Sequence, residues 1–137
     1  MHRSIALLPL LLALVLAGCT TAGSGSSADK FEGAESDVAQ VVDDLSAAAG
    51  RRDGEKICAE YLSRSLVRSL STQGTSCNQE MEKATNDASD FDLNVRDVTV
   101  EATSATARVQ RGDDGPTSTF ELVKEDNRWK LSGLEGT

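Results

Sequence analysis

Histidine is almost missing from this chain: the only one is His2, and from Arg3 onward there is no imidazole. That excludes a Ser-His-Asp relay, a histidine general base and an ordinary zinc site. Aromatic residues are scarce as well, at one Trp, one Tyr and three Phe. Beyond the first eighteen residues the apolar positions are largely Ala and Val, so any core is light. No cluster of Lys or Arg occurs, and 14 basic against 22 acidic side chains give a formal charge of −8. Such a surface repels phosphate backbones and anionic headgroups, which argues against nucleic-acid binding and against attachment through a basic face.

What is present begins with a leader. His2-Arg3 precedes an apolar run from Ile5 to Leu16, broken only by Pro9 and too short at helical rise to span a ~30 Å hydrocarbon core. The run closes on Leu16-Ala17-Gly18-Cys19. Two small residues suit a peptidase that must seat an extended backbone, and a thiol at position 19 can take a diacylglycerol group in thioether linkage. These four residues resemble the lipobox of bacterial lipoproteins. The resemblance implies cleavage before Cys19, lipid on Cys19 and residence on the extracytoplasmic face of the cell membrane. Removal of residues 1–18 would leave 13 basic against 22 acidic side chains, a formal charge of −9. The lipid must then supply the anchorage.

Residues 20–28, TTAGSGSSA, are small and polar, and their composition predicts a flexible tether between the lipidated Cys19 and a single domain spanning 29–137. With Cys19 committed to lipid, Cys58 and Cys77 remain as a pair in an oxidising compartment, and a structural disulfide follows. It would stabilise a light core by roughly 3 kcal/mol in the chain-entropy view. A redox role would call for a Cys-x-x-Cys arrangement that these residues lack.

The domain reads as helices followed by strands. Val38, Val41, Val42, Leu45, Ala48 and Ala49 recur at helical spacing over 29–49, and Gly50 with Arg51-Arg52 marks the end. Asp53 can cap a second helix in which Ile57, Cys58, Tyr61 and Leu62 share a face. Ser63 can start a third through Leu66, Val67 and Leu70, and Ser76 with Gln79 forms a capping box for a fourth. From Phe91 the period becomes two. Leu93 and Val95 alternate, then Val98 and Val100 in the opposite phase, so a bulge is expected near Arg96-Asp97. Further strands carry Ala105 to Val109, Phe120 with Leu122, and Trp129 with Leu131, separated by turns at Gly112 to Pro116 and Glu125 to Asn127. The expected fold class is therefore α+β, with N-terminal helices covering one face of a curved four-stranded antiparallel meander.

The helical opening, the segment Arg51-Arg52-Asp53-Gly54-Glu55-Lys56-Ile57-Cys58 and the closing strand around Arg128-Trp129-Lys130-Leu131 resemble small, largely actinobacterial lipoproteins of the nuclear transport factor 2-like superfamily. That resemblance implies a sheet wrapped around helices into a cone whose apolar mouth holds substrate in ketosteroid isomerase-like members and is filled or reused in binding members. Members usually carry a strand pair between the early helices and the main sheet, and residues 63–90 lack the alternation for one.

Tyr61, Trp129 and Phe120 are the aromatic residues that could line such a pocket. Asp113-Asp114 lacks the spacing of a calcium loop and reads as a hairpin turn. Glu80, Glu82, Asp87, Asp90 and Asp92 read as solvated surface. No catalytic set, cofactor motif or metal-ligand pattern emerges. The expected role is a non-enzymatic, membrane-anchored domain binding a protein partner or a small apolar ligand. The alternative is a small isomerase or dehydratase using a buried carboxylate.

Overall fold

The computed structural model describes residues 25–71 and 74–135. The apolar leader, Cys19 and most of the expected tether lie outside the described residues. Four helices precede a four-stranded antiparallel sheet of order β1-β2-β3-β4. No helix among the described residues is long and apolar enough to cross a membrane.

The first helix, α1, runs Gly33–Gly50. It starts later than the periodicity suggests, because Phe31 and Glu32 are extended and the preceding Ser27–Lys30 forms a separate 3-10 turn. That turn includes Ser27 and Ala28 of the expected tether. Ser27 and Ala28 are buried, with Ser27 only 3% exposed. Asp43 on α1 holds them by accepting from Ser26 Oγ at 2.7 Å and from Ala28 N at 3.0 Å. Ser27 Oγ in turn accepts from Val95 N, at 3.1 Å, and so covers part of one sheet edge.

Asp53 caps the short α2, Gly54–Lys56, by accepting from Lys56 N. The chain then widens into a π turn, Ile57–Tyr61, closed by Leu62 N donating to Ile57 O. Leu62 makes a parallel bridge to Leu131, and Ser63 N donates to Leu131 O at 2.8 Å, so this segment covers the opposite sheet edge. Ser63 Oγ accepts from Leu66 N at the start of α3, Arg64–Ser71. The expected Ser76/Gln79 capping box is present at the start of α4, Cys77–Asp87. Between residues 63 and 90 the structured elements are therefore helices, and no strand pair is inserted there among the described residues.

The strands are β1 Leu93–Glu101, β2 Ser104–Arg111, β3 Thr117–Glu125 and β4 Arg128–Glu135. The register of β1 shifts between Val95 and Asp97, which is the bulge read from the phase change. A two-residue turn, Asp126-Asn127, has positive φ at both positions and joins β3 to β4 in the manner that matches strand twist. Gly112 to Pro116 forms the β2–β3 turn and contains Asp113-Asp114.

Val98, Ala107 and Phe120 align across the sheet, as do Val100, Ala105, Leu122 and Leu131. Val38, Ala39 and Val42 of α1 are buried with this sheet in one core. Complete burial of a side chain such as Val42 contributes roughly 1.5–3 kcal/mol. Cys58 in the π turn is bonded to Cys77 at the first residue of α4, a separation of 19 positions.

Candidate functional site: an apolar pocket between helices and sheet

Toward the C-terminal end of α1, Ala48 stays in the core while its neighbours on the apolar stripe are less covered. Leu45 and Ala49 are only partly buried, and they line a pocket of about 310 Å³. Ile57 and Leu62 form its inner wall with Phe120 and Leu131 of the sheet, all four buried. Leu66 and Leu70 of α3 face it, as do Met81, Ala84 and Thr85 of α4.

Helix α3 makes the pocket legible in physical terms. It is strongly amphipathic, yet none of its residues is fully buried. An apolar helical stripe normally finds its partner in the core. Here the stripe is only partly buried against the core, and Leu66 and Leu70 also line the pocket.

The interior has no free polar group. Thr85 is buried, and its Oγ1 donates to Met81 O at 2.8 Å, with Glu82 O at 3.1 Å. The charged lining residues, Asp90 and Arg111, are both exposed. Leu134, 62% exposed, lies at the opening as well. The volume sits at the low end of the range for small-molecule sites. A chamber of this kind can exclude water from a hydrocarbon group, but it offers no buried acid or base.

Of the three aromatics named as possible pocket-lining residues, Phe120 lies here and the other two elsewhere. Tyr61 and Trp129 line a more polar depression of about 450 Å³ with Asp37, Gln40, Asp44 and Glu60. The cause is register. Trp129 pairs with Lys124, near the Asp126-Asn127 turn, whereas Phe120 pairs with Leu134 at the far end of the same hairpin. Trp129 is 4% exposed and belongs to the core, with Lys124 Nζ 5.5 Å from its ring centroid, and its Nε1 has no hydrogen-bond partner among the described residues. Asp90, read from sequence as plain surface, is at the pocket mouth.

Sequence reasoning missed Leu45, Ala49, Leu66, Leu70, Met81 and Arg111 as lining residues. Spacing identified most of them as apolar faces, but periodicity does not say whether a face is covered. The described residues contain no group of three or more His, Cys, Asp or Glu able to hold a metal ion. No known family, curated protein or solved structure matches the chain.

Proposed function

We propose that this protein is a lipid-anchored extracytoplasmic domain, of the nuclear transport factor 2-like kind, that holds a small apolar ligand beside the membrane. The observation that carries the reading is the apolar pocket with satisfied polar groups inside and charged residues only at its mouth. The Leu16-Ala17-Gly18-Cys19 pattern supports the anchor, and intact mass of membrane-extracted protein tests it directly.

Position supports the same reading. Leu93 lines both the apolar pocket and a polar depression that includes Gly25 and Ser26. Six residue steps from Gly25 to Cys19 cannot exceed roughly 20 Å, so lipid on Cys19 would keep the domain close to the bilayer. A carboxylate-driven isomerase finds less support, because the carboxylate lining the pocket, Asp90, is exposed at its rim.

Met81 gives a direct test, since Met1 is the only other methionine. Protein carrying ¹³C in the methionine methyl groups should show a saturable shift of the Met81 methyl on titration with decanol. Ala49→Phe and Ala88→Phe, both in the pocket lining, should abolish the shift while far-ultraviolet circular dichroism stays unchanged. Saturable binding of equal strength in both folded variants would refute the reading.

A further inference from the structure

The charged rim has a structure of its own. Asp90 Oδ1 accepts from Asp92 N at 2.9 Å, whereas Oδ2 lies against the β2–β3 turn, where a Cβ at Gly112 would come within 2.8 Å of it. Arg111, the residue before Gly112, has a backbone bond to Pro116 O, but among the described residues its guanidinium has no ion pair or side-chain hydrogen bond. Asp90 and Arg111 thus sit at one opening without pairing. One free acceptor and one free donor group flank a hydrocarbon-lined chamber.

Resting on the reading of the pocket as a ligand site, we infer that its ligand is a single-chain amphiphile with a neutral head bearing both a hydroxyl and a carbonyl, as in a monoacylglycerol. The hydroxyl donates to the Asp90 carboxylate, and the carbonyl oxygen accepts from the Arg111 guanidinium. An anionic head would pair with Arg111 but face Asp90 and a processed chain of formal charge −9, and a cationic head would pair with Asp90 but face Arg111. A neutral head satisfies both groups and leaves neither charge opposed. The pocket limits the tail: at about 310 Å³ it lies at the low end for small-molecule sites, which suits one short hydrocarbon chain better than two.

The test compares three ligands that share a ten-carbon tail, monodecanoin, decanoate and decyltrimethylammonium, on the full lipidated chain in nanodiscs, with the Met81 methyl as the reporter. Monodecanoin should bind at least tenfold more tightly than either ion. Asp90→Asn keeps an oxygen for Asp92 N, and it should improve decanoate severalfold. Arg111→Gln removes a guanidinium without internal partners, and it should improve decyltrimethylammonium severalfold while weakening monodecanoin. Tightest binding of decanoate by the unmodified chain would overturn the inference in favour of an anion site. Equal binding of all three, unmoved by either substitution, would overturn head-group recognition yet leave the apolar pocket standing. No Met81 shift with any of them would remove the pocket reading itself.

Discussion

Lys130 donates from Nζ to the carbonyl oxygen of Glu60, and to that of Ala59 at 3.2 Å, so a side chain of β4 closes the C-terminal end of the π turn. The carbonyls at a helix terminus have no intrahelical partner, and a cation there also meets the negative end of the backbone dipoles. Lys130 is only 6% exposed. Its burial, assisted by the positive charge of Arg128, holds its pKa below the ordinary lysine value.

A pH dependence follows. Between the lowered folded-state value and the ordinary value, the unfolded chain binds more protons at this position than the folded one, so this group's contribution to stability rises with pH. Below the lowered value both states are protonated, and the penalty for burying the charge is fully present. Lys130→Met should lower stability by about 1–2 kcal/mol through the two carbonyls it leaves unsatisfied. Denaturant midpoints should then show the gap between the two proteins widening as pH rises toward the ordinary lysine value of about 10.4.

The disulfide fastens the π turn on its other side. Cys58 is partly buried and Cys77 is buried, and together they hold the turn against α4 and so fix the helical wall of the pocket. Cys58→Ser with Cys77→Ser should cost about 3 kcal/mol, a fall of roughly 10–20 °C in Tm for a domain of this size. Calorimetry of the oxidised protein with and without reductant should give the same difference, whereas a shift below about 2 °C would show that the loop is held by packing alone.

Asp43 has a comparable role at the opposite end of the sheet. Asp43→Ala removes the acceptor of Ser26 Oγ and Ala28 N and should release the 3-10 turn from α1, at a cost of about 2 kcal/mol. Val95 N, which donates to Ser27 Oγ, should lose protection in hydrogen exchange. Asp44→Ala offers the control, since Asp44 accepts only from Gln40 within its own helix, and its effect should stay within about 0.5 kcal/mol.

The same contact explains how far the sequence could be read. Strands β1 to β4, the turns after β2 and β3, the bulge and three of the helix caps were legible because alternation and capping are local signals. Ser26, Ser27 and Ala28 read as tether because small polar residues carry no local signal for burial, and their partners Asp43 and Val95 are fifteen or more positions away. Tyr61, Trp129 and Phe120 were grouped by chemistry alone. Their separation depends on which end of the β3–β4 hairpin each occupies, a matter of three-dimensional register. The pocket was hidden for a related reason: the stripes of α3 and α4 were visible, but the space left between them and the sheet was not.

The end of α1 supports a last prediction, because its glycine and its left-handed residue do not coincide. Gly50 is the final residue of the helix, and a Cβ there would meet nothing within 4 Å. The left-handed position falls two residues later, on Arg52 with φ 57°. Arg52 N donates to Ala49 O and Asp53 N to Ala48 O, the paired bonds of a helix terminus that normally places glycine at that residue. Gly50→Ala should therefore stabilise the domain by about 0.5–1 kcal/mol by reducing the freedom of the unfolded chain and raising helix propensity. Arg52→Gly should add about 0.5 kcal/mol by relieving the left-handed strain, less the entropy that glycine restores to the unfolded state. In urea melts the double variant should exceed either single variant, and its departure from their sum measures the coupling between two positions of one helix end. If Arg52→Gly instead destabilised the protein, the strained arginine would have to be making a compensating contact at the helix end.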